Sequence, residues 1–146
     1  MSLEEYSKIR DFSKTKEPKG KIKKGKGNIY VIQKHDATHL HFDLRLEMDG
    51  VLKSWTIPKM PPTEKGMKRL AVATEDHPVD YAEFEGKIPE GEYGAGKVEI
   101  WDKGTYELEE KDENKIIIQI NGRMLKGRYC LIKFKGQEKN WLFFKC

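Results

Sequence analysis

Cysteine is scarce in this chain of 146 residues: Cys130 and Cys146 are the only two. Cys130 falls in an apolar strand pattern and Cys146 is the last residue, so neither a thiolate zinc site nor a disulfide framework is indicated. No apolar run approaches the roughly 20 residues that a membrane-crossing helix needs, and no signal-peptide pattern opens the chain. The expectation is a soluble, cytoplasmic protein without membrane contact. Charge of one sign is not in large excess either, since 28 basic against 24 acidic side chains leave a formal net charge of +4. Where the basic residues fall matters more. Lys14 to Lys26 holds seven lysines and a single acid, Glu17, which reads either as a solvated flexible segment or as a nucleic-acid contact. No internal repeat divides the chain, and its length suits one core. One domain over residues 1–146 is expected, with a helix and flexible basic arm over 1–27 and a β-rich body over 28–146.

What the chain does have is strand periodicity. Leu40 to Met48 reads LHFDLRLEM. Leu40, Phe42, Leu44, Leu46 and Met48 point one way, and His41, Asp43, Arg45 and Glu47 the other, as in a strand with one face in a core. Strands are also expected over 28–34, 51–57, 69–75, 115–121, 127–134 and 140–145. Asp36-Ala37-Thr38 reads as a turn and Asp49-Gly50 as a hairpin. Lys103-Gly104 reads as a second hairpin, pairing 97–101 with 105–109, while 79–94 reads mostly as loop. Ser2 followed by Glu5 is a capping-box pattern. A short helix is therefore expected over 3–12, burying Leu3, Tyr6 and Ile9. About eight strands at this spacing describe a barrel or a sandwich.

The polar face of 40–48 carries the chemistry. Strand rise spaces His41, Asp43 and Arg45 about 7 Å apart in a row, and His35 lies six residues upstream of His41. Two imidazoles and a carboxylate suit a divalent transition metal and leave positions open for substrate and water. An arginine beside them can grip a phosphate through paired hydrogen bonds. Gln33 shares the face of His35. In 69–75, Leu70 and Val72 are expected in the core. Arg69, Ala71, Ala73 and Glu75 then lie opposite, with His77 beyond, and the two alanines either floor a pocket or pack closely. His39 falls on the apolar side by parity. Trp55, Trp101 and Trp141 read as core.

Four stretches extend this reading: QKHDATHLHFDLRLE, SWTIPK, KRLAVATEDHP followed by Tyr81, and GEYGAGKVEIWD. Together they closely resemble the 3′-phosphoesterase module of the prokaryotic DNA ligase D system, with similarity running from about Tyr6 to the end of the chain. The resemblance implies a closed antiparallel β-barrel of about eight strands with a short N-terminal helix and long loops. It implies a manganese-dependent enzyme, other divalent transition metals being possible cofactors. Such an enzyme removes a 3′-terminal ribonucleoside from a primer and then the remaining 3′-phosphate. The implied partner is a DNA primer-template with a 3′-ribonucleotide or 3′-phosphate end, alongside an end-joining ligase, a polymerase and Ku. With no room for ligase or polymerase modules, the chain resembles the stand-alone form.

Residue by residue, the resemblance makes His35, His41 and Asp43 the metal ligands and Arg45 the phosphate-binding arginine. Gln33 lines the site, His77 contacts the phosphate and Glu75 supports it. Tyr81 follows in the corresponding stretch. Arg10, Asp11 and Glu17 belong to an N-terminal arm that folds over the site, and Lys59 and Arg69 are further cationic positions that bind substrate. His77 either protonates the leaving oxygen or only hydrogen-bonds the phosphate. Two rival readings are a non-haem iron oxygenase using His41, Asp43 and His77, and a non-catalytic nucleic-acid-binding barrel.

Overall fold

The computed structural model describes residues 3–20 and 27–146. Ser2, half of the expected capping box, lies outside them, as do Lys21, Lys23, Lys24 and Lys26 of the basic stretch. Among the described residues the chain forms one α-helix, α1 (Leu3–Lys8), one short 3-10 helix (Val79–Glu83) and nine strands. These are β1 (Ile29–Asp36), β2 (Leu40–Met48), β3 (Val51–Ile57), β4 (Lys68–Pro78), β5 (Gly86–Ile88), β6 (Gly96–Lys111), β7 (Lys115–Asn121), β8 (Lys126–Lys133) and β9 (Asn140–Lys145). The order β1-β2-β3-β4-β9-β8-β7-β6 closes through a β1–β6 pairing. The result is the expected closed antiparallel barrel of eight strands, with β5 added beside the start of β6. No described helix is long and apolar enough to cross a membrane.

Four of the five alternating apolar residues of β2 pack as their pattern demands, while Leu40, at the start of the strand, is 47% exposed. Phe42, Leu44, Leu46 and Met48 point into the barrel with Tyr30, Ile32, Trp55, Ile57, Ile118, Leu131 and Phe143. Burying a side chain such as Leu44 or Leu46 contributes about 1.5–3 kcal/mol. Asp49 and Gly50 take positive φ of 55° and 80°, the backbone a tight two-residue hairpin requires, and this fixes the β2–β3 register. A second apolar cluster sits outside the barrel wall, where Tyr6, Val31, Leu52, Tyr81, Phe84, Ile88 and Val98 meet. The polar row of β2 lies on this outer face of the wall, where His41, Asp43 and Arg45 line a pocket.

Three expectations are corrected. The Lys103-Gly104 hairpin does not form, and 96–111 runs as one strand that pairs first with β1 and then with β7. Glycine is needed at 104 for close approach, because a Cβ there would fall 2.0 Å from the Asn121 carbonyl oxygen. The helix stops at Lys8, and Ile9 is 42% exposed while Tyr6 is fully buried. The Arg10 guanidinium turns back and donates from Nη1 to the Tyr6 carbonyl, the acceptor that a continuing helix would offer to the Arg10 backbone. In β4 the faces are opposite to those expected: Ala71 is buried in the barrel and Leu70 is exposed. Ala71 and Ala73 pair with Trp141 and Trp55, whose rings meet edge to face at 5.9 Å and take up the space. A bulge opposite Lys53 then inserts one residue into β4 and changes its parity. Glu75 and His77 thereby reach the outer face.

Candidate metal and phosphate site

The hairpin register places Asp43 opposite Thr56 and Arg45 opposite Ser54, while β1 sets His35 opposite His41 and Gln33 opposite Asp43. All seven belong to the outer face of β1–β3. Ligand atoms of His35, His41 and Asp43 lie within 4.8 Å of one another. His35 Nδ1 is 3.6 Å and His41 Nε2 3.4 Å from Asp43 Oδ2. Each imidazole spends its far N–H on a backbone carbonyl: His35 Nε2 donates to Gly94 at 2.6 Å, and His41 Nδ1 donates to His39 at 3.0 Å. A carbonyl can only accept, so both rings are oriented with the remaining nitrogen toward one point, the outer-sphere arrangement typical of metal-binding histidines. Thr56 Oγ1 donates to Asp43 Oδ1 at 2.9 Å, leaving Oδ2 to face that point.

Electrostatics agree with a cation there. Burial alone would raise the Asp43 carboxyl, but His35, His41 and Arg45 outweigh it and hold the group well below its ordinary value of 3.8. Burial lowers His41, and its contacts with Asp43 more than reverse that, so its pKa is raised. A proton and a metal compete for the same place. The surrounding pocket, of about 290 Å³, includes Arg10, Glu17, Asp43, Arg45 and Glu75. With the histidines neutral, three carboxylates outweigh two guanidiniums, and a divalent cation reverses that sign. The donor set, its orientation and this balance fit such an ion.

Arg45 is held from three sides. Nε donates to Gln33 Oε1 at 2.6 Å, Nη1 donates to Ser54 Oγ at 2.9 Å, and Nη2 stands 3.6 Å from Asp43. Gln33 is fixed in turn by donating Nε2 to the carbonyls of Tyr81 and Phe84. Arg10 reaches the pocket from the other side. Its Nε donates to Glu17 at 2.9 Å and its Nη2 lies 3.4 Å from His77 Nε2, with Glu75 at 3.5 Å from Nη1. Glu17 also accepts from Tyr81 at 2.6 Å and from Thr15 at 3.0 Å. This packs residues 15–17 of the arm against the barrel, while 11–20 remain without regular secondary structure.

His77 is buried between the two guanidiniums. Its Nδ1 donates to the Glu75 carbonyl at 3.0 Å, so Nε2 is an acceptor facing Arg10. Burial, then Arg45 and Arg10, push its pKa well below 6.5. It does not join the His41–Asp43 cluster among the described residues, which removes the geometric basis of the oxygenase triad.

The structure thus brings together His35, His41, Asp43, Arg45, His77, Glu75, Gln33, Arg10, Glu17 and Tyr81. It does not bring Asp11, Lys59 or Arg69 into the pocket. Asp11 is exposed and accepts from Ser13. Arg69 donates to the Met60 and Lys68 carbonyls, and Lys59 is exposed. Thr56 and Ser54 were not anticipated, although the Asp49-Gly50 turn implies their pairing with Asp43 and Arg45. Tyr93 and Gly94 were missed too, and no periodicity marks them in their loop.

Residues 33–133 match the family described as the DNA ligase D 3′-phosphoesterase domain. The multifunctional non-homologous end joining DNA repair protein LigD of Mycobacterium tuberculosis (strain H37Rv) is 49% identical over 96% of this chain and 19% of its own length. Its counterpart in Pseudomonas aeruginosa is 45% identical over 98% of this chain and 18% of its own, and that of Mycolicibacterium smegmatis 48% over 96% and 20%. The chain therefore spans about a fifth of the length of the curated relatives it matches.

Proposed function

The chain belongs to the DNA ligase D 3′-phosphoesterase domain family, and on that footing we propose that it is a metal-dependent phosphoesterase that heals DNA 3′ ends for non-homologous end joining. The observation that carries the reading is the junction of two groups. The oriented His35, His41 and Asp43 cluster shares Asp43 with the braced Arg45, so a cation site and a phosphate donor stand side by side.

Two hydrolyses follow from this reading. In the first, water oxygen bonds to the terminal internucleotide phosphorus and the P–O5′ bond breaks. The ribonucleoside leaves with a proton on its 5′ oxygen, and a 3′-phosphate remains. In the second, water bonds to that phosphorus and the P–O3′ bond breaks, giving inorganic phosphate and a 3′-hydroxyl. Mn²⁺ or another divalent ion held by His35, His41 and Asp43 would polarise a phosphoryl oxygen and lower the pKa of water. Arg45, with Nε and Nη1 already engaged, offers Nη2 to a phosphate oxygen, and Arg10 offers a second guanidinium across the pocket. Both are fixed beforehand, which keeps reorganisation small as charge develops. His77 has no proton on Nε2 to give in this arrangement, which favours a role in placing Arg10 over one as general acid. Gln33 and Tyr81 brace Arg45 and Glu17, and Glu75 balances Arg10. Lys59, Lys19 and the lysines beyond it would meet DNA phosphates outside the pocket, with the domain's partners those of end joining.

The test is an end-labelled primer-template carrying one 3′-ribonucleotide, incubated with and without Mn²⁺. The expected products are a 3′-phosphate and then a 3′-hydroxyl, formed only with metal. An all-deoxy primer should lose no terminal nucleoside. Binding without any change of the 3′ end would favour the non-catalytic barrel.

A further inference from the structure

Five of the six tyrosines, Tyr6, Tyr30, Tyr81, Tyr106 and Tyr129, are 5% exposed or less, whereas Tyr93 is 51% exposed. Its ring forms part of the wall of the pocket that holds His35, His41, Asp43 and Arg45. The Arg10 guanidinium carbon lies 5.4 Å from the ring centroid, close enough for a cation–π contact that steadies the ring. The loop beneath is fixed with respect to the metal cluster. Gly91 and Gly94 turn it at φ of 87° and 74°, Ala95 donates back to Glu92 at 3.1 Å, and the Gly94 carbonyl receives the His35 N–H. A half-exposed aromatic ring thus stands beside the place proposed for the scissile phosphate, with no role in the chemistry described above.

We propose that Tyr93 is a stacking platform for the base of the 3′-terminal nucleoside, an inference that rests on the phosphoesterase reading. Every base offers a π-face, so such a platform tolerates any of them. The direction follows from the surroundings. His41 and Thr56 also line a shallower groove with Thr38, Leu40 and Pro58, which leads away from the cluster on the other side. A strand that continues into a duplex needs an open path, and that groove provides one. The Tyr93 side is bounded by Arg10 and suits the one nucleoside that has no neighbour beyond it. Tyr93 therefore sets a preference for 3′ ends that carry a base.

The experiment compares three versions of one primer-template: a 3′-terminal ribonucleotide, the same end with an abasic terminal ribose, and an intact end preceded by an abasic penultimate position. Affinity by fluorescence anisotropy and cleavage with Mn²⁺ are measured for wild type, Tyr93→Ala and Tyr93→Trp. Wild type should bind the intact end about fivefold or more tighter than the terminal abasic end, the lower range for base–aromatic stacking. Tyr93→Ala should bring that ratio to about one, and Tyr93→Trp should retain it. A wild-type ratio near one overturns the platform. So does an equal loss for Tyr93→Ala on all three ends, or a preference tied to the penultimate base. Cleavage without the preference rejects the platform alone, and the preference without cleavage rejects the phosphoesterase reading alone.

Discussion

Thr56 Oγ1 donates to Asp43 Oδ1 at 2.9 Å across the β2–β3 hairpin, and so turns Oδ2 toward both imidazoles. The hydroxyl orients the one anionic group of the cluster without belonging to it. Thr56→Val keeps the shape and removes the donor. Metal affinity should fall about 10- to 100-fold, the usual effect of losing such a partner, with little change in melting temperature. Titration of the metal-free protein with Mn²⁺ measures this, and unchanged affinity would show that Asp43 is oriented by other means.

The hairpin shows how far the sequence could be read. Strict alternation in Leu40 to Met48 and the Asp49-Gly50 turn are local signals, and they place Asp43 and Arg45 on one face next to each other. Thr56 and Ser54 follow from the same turn, because an antiparallel register is set once its turn is known. The faces of β4 were not legible. Whether Ala71 or Leu70 enters the barrel depends on the volumes of Trp55 and Trp141, which arrive from other strands, and on a bulge with no marked sequence signal. Gly104 misled for a related reason: a glycine needed for close approach to β7 carries the same letter as one needed for a turn. Arg10 reaches His77 from 67 residues away, a contact only the fold, or resemblance to a family, can supply.

The corrected β4 face has its own test. Ala71 is fully buried and paired with Trp141, while Leu70 is 40% exposed. Ala71→Leu should overpack the barrel and cost about 1–3 kcal/mol, whereas Leu70→Ala should stay within about 0.5 kcal/mol of wild type. Urea unfolding of both variants decides between the two faces, and the reverse order of costs would restore the original parity.

His77 gives a pH dependence with a definite sign. Its folded pKa is depressed well below the ordinary 6.5, first by burial and then by Arg45 and Arg10. Between those two values only the unfolded chain takes up the proton, so this contribution is complete above about 6.5 and is lost as pH falls below it. Asp43, also depressed, acts lower, because its contribution fades only as pH falls below the ordinary carboxyl value. His41 is raised and works in the opposite sense, its contribution being lost as pH rises above 6.5. Thermal melts of the metal-free protein from about pH 7 to pH 5 should therefore fall more steeply for wild type than for His77→Gln. Parallel slopes would mean that His77 is not held neutral.

The central claim is that one residue, Asp43, joins a metal site to a phosphate site, and paired variants test it most directly. Asp43→Ala should lose bound Mn²⁺ and both phosphoesterase steps while melting as a folded protein, since its side chain faces the pocket and not the barrel interior. Arg45→Ala should keep the metal and lose about 10²- to 10³-fold in turnover, the scale for removing one preorganised donor. Elemental analysis, thermal melting and 3′-end assays on the two variants separate these outcomes. Metal retained and 3′ ends still processed by Asp43→Ala would contradict the site described here.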